Sequence, residues 1–99
     1  MSRRSALAIP ALIGAFLLAA ASADAACYAD YKAKKDSPLQ LHYGVAEVGD
    51  QSCSKAAASA ELAPRLARAG WTLLNVLSTF GPEGLEKRKD SAGAYFLRF

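Results

Sequence analysis

Behind Arg3 and Arg4, an uncharged run from Ala6 to Ala23 takes up most of the first quarter of this 99-residue chain. It leaves too little sequence for anything larger than one small domain. A cationic start, an apolar stretch and small residues at the end form the pattern of a secretory signal peptide. Ala23 and Ala25 flank Asp24 as a peptidase site requires, so residues 1–25 are expected to be removed, with a cut after Ala23 as the alternative. Spanning a bilayer takes about 20 apolar residues. This run is Ala-rich and broken by Pro10 and Gly14, so no stable membrane anchor is expected. Cys27 after Ala25-Ala26 also permits a lipidated form, but Asp24 stands where such signals want Leu.

The remaining ~74 residues, 26–99, make a single domain near the size at which one core is only marginally stabilising. Without Arg3, Arg4 and Asp24, ten Lys and Arg face eight Asp and Glu, a formal charge of +2 that gives little reason to expect an anionic partner. Export places the product in the periplasm or outside the cell, where Cys27 and Cys53 are expected to form a disulfide. Closing that loop restricts the unfolded chain by about 3 kcal/mol in the entropic account.

Residues 27–34 alternate, with Cys27, Ala29, Tyr31 and Ala33 on one side, as in a half-buried strand. Lys35-Asp36-Ser37-Pro38 suits a turn. A second strand, 39–48, places Leu39, Leu41, Tyr43 and Val45 on its apolar face and Gln40, His42, Gly44 and Ala46 on the other. A hairpin centred on Asp36-Ser37 sets Cys27 opposite Ala46, a few residues from Cys53. Ser52 or Ser54 then caps a helix over 55–69 that stops at Gly70 and carries the stripe Ala58, Leu62, Leu66 and Ala69. Pro64 predicts a kink near Ala60 or two shorter helices. Residues 71–80 and 92–99 read as two further strands joined by a charged loop. The strand after the helix is expected to run parallel to the one before it, by a right-handed crossover. The expected architecture is a two-layer α+β sandwich: one small mixed β-sheet of three or four strands and one helix, ββαββ or βαββ.

Gly70-Trp71-Thr72-Leu73-Leu74-Asn75-Val76, preceded by Val45-Ala46-Glu47-Val48 and followed by Phe96-Leu97-Arg98, resembles a family of small bacterial domains of unknown function with a Gly-Trp-Glu-Leu-Val-like strand after a helix. The resemblance spans residues 39–99. Thr72 stands where the family has Glu, and the cysteine-bearing first strand is additional. It implies a fold and no activity.

Residues 26–99 hold no nucleophile elbow, phosphate loop, His-Glu-x-x-His or Cys-x-x-Cys pattern, so catalysis, a metal and a cofactor are not expected. His42, the only histidine, lies on the polar side of its strand, and with Tyr43 it is the one basis for a ligand-binding or hydrolytic alternative. Glu47 and Glu61 are the candidate acid/base pair, but Glu61 falls on the solvated helix face. Lys87-Arg88-Lys89 is balanced by Glu83, Glu86 and Asp90 and reads as a solvated loop. The tail 93–99 lacks the basic residue and second aromatic of an RNA-binding strand, and no nucleic-acid partner is expected. So short a chain cannot supply the eight strands of a barrel.

Residues 71–80 offer Trp71, Leu73 and Leu77 on one face and Leu74, Val76 and Phe80 on the other. One helix covers one side of a sheet. The other side must be covered by a second copy, a protein partner, an apolar ligand or the chain's own loops. Trp71, Leu73, Leu77, Tyr95 and Leu97 are the candidate interaction surface of an exported, non-catalytic module that dimerises or binds a protein. Edman sequencing of the native protein is expected to begin at Ala26; a start at Met1 or Ser2 removes the basis for export.

Overall fold

The computed structural model describes residues 26–99. The signal peptide and its two cleavage positions lie outside the described residues.

Cys27, Ala29, Tyr31 and Ala33 recur at every second position, and the strand they form, β1 (Cys27–Lys35), buries all four completely. β2 (Gln40–Val48) returns antiparallel along one edge of β1, and β3 (Thr72–Phe80) pairs antiparallel with the other. The order is β2-β1-β3. Between β2 and β3 runs α1 (Lys55–Arg68), whose Ala58, Leu62 and Leu66 join Cys27, Ala29, Tyr31, Ala33, Ala46, Val48, Trp71 and Val76 in one core. This is the expected small α+β fold, with the sheet and helix in two layers.

Four details differ from the sequence expectation. First, β2 and β3 do point the same way, as the crossover requires, but β1 lies between them, so the sheet is antiparallel throughout rather than mixed. The tail meets the outer edge of β2, where Leu97 N–H donates to the Val45 carbonyl at 2.7 Å. Second, residues 92–99 are not a strand. A chain of short turns, including α2 (Lys89–Ala92) and the 3-10 turn Gly93–Tyr95, leads to one parallel bridge between Phe96 and Val45. Gly93 (φ 54°) and Leu97 (φ 62°) are left-handed, which interrupts extended backbone.

Third, the hairpin is centred one position later than expected, on Ser37-Pro38, which moves every cross-strand partner by two residues, with Cys27 opposite Val48 and Lys35 opposite Gln40. A two-residue slip preserves which residues share a face. The faces of β2 are nevertheless the reverse of what hydropathy suggests: His42, Gly44 and Ala46 point at the helix, while Leu39 and Leu41 are exposed. Cross-strand partners share a face, so the buried side of β1 carries these residues inward with it. Tyr31 lies over Gly44, where an added Cβ would overlap its phenol ring, so only a glycine lets the tyrosine fill this part of the core. Fourth, α1 is one continuous helix despite Pro64. Ala60 and Pro64 are both exposed, so water can reach the Ala60 carbonyl that proline leaves without a donor.

The helix ends match the sequence. Ser54 accepts the Ala57 N–H at 3.2 Å, and Gly70 is left-handed at φ 89°. Ala69, expected in the apolar stripe, is instead the exposed C-cap. Cys27 and Cys53 form the expected disulfide, with Cα atoms 5.9 Å apart, and so tie the start of β1 to the turn before α1. Gly44→Ala is expected to destabilise the oxidised protein by about 1–3 kcal/mol, as overpacking does. The urea midpoint measures it, and pairing the change with Tyr31→Leu should recover part of the loss.

Candidate functional site

The two faces of the sheet carry different chemistry, and the C-terminal segment touches both. On the helix face, His42 is 8% exposed and enclosed by rings. Tyr95 stacks on it at 3.8 Å and 13°, Trp71 meets it edge-on at 4.3 Å, and the Tyr31 hydroxyl lies 3.0 Å from Nε2. Phe99 closes the far side of Tyr31 at 6.3 Å, and Lys35 Nζ sits 4.4 Å from the Trp71 ring. Nδ1 of His42 has no hydrogen-bond partner. Burial and the nearby Lys35 charge push the imidazole below its ordinary value of 6.5. Burial also pushes the Tyr31 phenol up to about 12. Around neutral pH both groups are uncharged.

The opposite face holds a polar cluster on Asp30, itself 6% exposed. Its carboxylate accepts hydrogen bonds from Ser78 Oγ at 2.6 Å, Tyr43 hydroxyl at 2.8 Å and Arg88 Nε at 3.0 Å. Burial alone would raise the Asp30 pKa, but these three donors and the Arg88 charge more than reverse it and hold it below 3.8. Burial, with the hydrogen bond to Asp30, raises Tyr43 to about 12. Arg88 also donates to the Gly84 carbonyl at 2.8 Å and stacks over Phe80 at 3.9 Å. It is thus not the solvated loop residue expected from its charged neighbours: it fastens residues 81–92 across this face, over Asp30 and Val45, both of which are buried.

That strap covers only one end. At the other end Leu41 and Leu74 are 67% and 49% exposed, with Leu39 at 65% in the adjoining turn. Lys32, Ala33, Leu41, His42, Tyr43 and Leu74 line a shallow recess of about 210 Å³ there. Lys32 is exposed and forms no ion pair among the described residues, whereas Lys34 pairs with Asp36 at 3.3 Å.

The residues singled out from the sequence are dispersed. Trp71 is in the core, Leu73 and Tyr95 are partly buried against it, and Leu97 is 46% exposed beside Arg98. Strict alternation fails in β3, because the register jumps from Ser78 to Val76 and from Asn75 to Leu73 along β1. These irregularities leave Leu77 and Leu74 unpaired and bring Leu73 and Val76 onto the same, helix-facing side. His42 and Tyr43, adjacent on β2, point to opposite faces and do not converge on one group. Glu47 and Glu61 form no carboxylate pair either. Arg65 joins their elements, donating to the Glu47 carbonyl and the Glu61 carboxylate at 2.9 Å each. The Gly49 N–H on Glu61, aided by Ser52 and Arg65, lowers its pKa despite some burial.

Asp30, Arg88 and the exposed leucines carried no distinguishing motif. The one available signal was that Leu39 and Leu41 could not share a face with Tyr31 once Cys27 was paired near the end of β2. No family model, curated protein or solved structure matches the chain. Among the described residues no cluster of His, Cys, Asp or Glu could hold a metal ion, and no helix is long and apolar enough to cross a membrane.

Arg88→Met is expected to cost about 2–3 kcal/mol, since it strands a buried carboxylate that keeps only two neutral donors. The stabilisation from Asp30 is whole above pH 3.8 and is lost as pH falls from there through the lower folded-state value. Asp30→Asn should flatten that part of the stability curve, which urea titrations across acidic pH would record.

Proposed function

We propose that this chain is an exported, non-catalytic interaction module that binds a protein, or a second copy of itself, through the bare end of its open sheet face. The observation that carries the proposal is the exposure of Leu41 and Leu74 on the two strands flanking β1, with Leu39 beside them. Adjacent large apolar side chains on a small domain are seldom left in water. The strap has already shielded the Val45 end, so the remaining leucines are the part of this face that the chain does not cover.

Lys32 lies between Tyr43 on β2 and Asn75 on β3, so a cation sits within the apolar patch. A matching surface presents apolar side chains with a carboxylate among them. The cystine and the leader-like first 25 residues support work outside the cytosol. The resemblance to small domains of unknown function is compatible with this role, since it implies no activity. His42 is too enclosed to reach a substrate, and the elevated Tyr31 value provides no phenolate nucleophile.

Sedimentation velocity over a concentration series, with apolar-dye fluorescence on the same samples, tests the surface. The oxidised protein is expected to associate or bind dye, and Leu41→Asp with Leu74→Asp should abolish both while leaving the circular dichroism unchanged. A monomer that binds no dye at any concentration argues against the proposal.

A further inference from the structure

The imidazole of His42 sits where burial and the Lys35 ammonium disfavour a proton. In either neutral tautomer Nε2 can share one hydrogen with the Tyr31 hydroxyl, while Nδ1 stays without a partner. An imidazolium has two N–H donors, and the Nδ1 donor would remain buried and unmatched. The groups facing the ring offer no counter-ion. From β1 come Tyr31 and the Lys35 ammonium, from the start of β3 Trp71, and from the tail Tyr95, with Phe99 behind Tyr31 covered by Arg65 of α1. No carboxylate hydrogen-bonds to His42 among the described residues.

Of the walls around this ring, one is weakly held. Tyr31 and Trp71 belong to the continuous core, whereas Tyr95 packs against it from a tail whose backbone meets the sheet at one bridge, where Leu97 N–H donates to the Val45 carbonyl. Leu97 is left-handed at φ 62°, a conformation that a leucine side chain disfavours. The departure of Tyr95 would open the stacked face of the ring to water. Stacking on the Tyr95 face would attract a cation. Desolvation and the Lys35 ammonium oppose that attraction and push the imidazole below its ordinary value.

We propose that His42 is a proton-operated latch: acidification charges the ring, Tyr95 unstacks, and residues 93–99 leave the outer edge of β2. The neutral ring is the form compatible with the closed tail. The stabilisation it provides is therefore complete above pH 6.5 and declines as pH falls from there toward the lower folded-state value. Opening exposes the Val45 carbonyl and its neighbours on β2, an edge available for pairing with another strand. The tail leaves the outer edge of β2, whereas Lys32 lies on β1 along the inner edge.

The oxidised protein contains one histidine and one tryptophan, so each can be followed without interference. The imidazole proton shifts of His42, the Trp71 fluorescence and the exchange protection of the Leu97 amide would be measured from pH 8 to pH 4.5. Protection at Leu97, corrected for intrinsic exchange, is expected to fall by about tenfold or more with the same midpoint as the imidazole, while the Tyr31 amide stays protected. His42→Phe keeps a ring in the stack and should make Leu97 protection independent of pH. Tyr95→Ala, which opens the tail without a proton, should leave Leu97 unprotected at every pH and raise the His42 midpoint. The proposal is overturned if His42 titrates with Leu97 still protected, if it does not titrate in this range, if the Tyr31 amide opens in step with Leu97, or if His42→Phe retains the pH dependence.

Discussion

The Tyr31 ring lying across Gly44 is the contact from which the rest of the arrangement follows. It sets the inner side of β1, and through cross-strand pairing it carries His42, Ala46 and Val48 inward beside it. On β1 the inner surface is then small residues around the Tyr31 ring, and Leu62 and Leu66 of α1 complete the core with them. The Cys27–Cys53 bond holds the same strand at its start. β1 is thus fixed by a covalent tie at one end and a shape match in the middle, and both neighbouring strands take their register from it.

This choice of inner face has a cost on the other side. Leu39 and Leu41 are turned outward, and only part of the outer face is covered again by the chain. Arg88 anchors residues 81–92 there through Asp30, and Tyr95 and Phe99 then pack on the helix side after the segment has passed the edge of β2. The C-terminal segment is held at two points on opposite faces, by an ion pair at one and ring stacking at the other. Ionic and aromatic contacts respond differently to protons, so the two ends of the same segment need not open together.

Much of the fold could be read locally. The alternation along β1, Ser54 as the helix cap, Gly70 as its stop and the stripe Ala58, Leu62, Leu66 each reflect chemistry confined to a few neighbouring residues. The faces of β2 could not be read this way, because its more hydropathic side is the one turned away from the helix, with Leu39 and Leu41 exposed. The tail misled for a related reason: Tyr95, Leu97 and Phe99 alternate as in a strand, yet left-handed backbone at Gly93 and Leu97 aims the two rings at the core without a ladder. Of the candidate surface, Leu97 is open, whereas Trp71 and Tyr95 are needed to enclose His42.

Residue spacing and local propensity were enough to determine the helix, three strands, the two-layer class and the pairing of the only two cysteines, because each depends on periods, caps or a count within the chain itself. Tertiary structure alone decided which side of β2 is inside, how β3 is irregular, and that Arg88 seeks Asp30 across 58 positions. Those outcomes depend on whether Tyr31 has space beneath it and on where a buried charge finds its partner. Both are relations between distant segments that no local pattern of hydropathy contains.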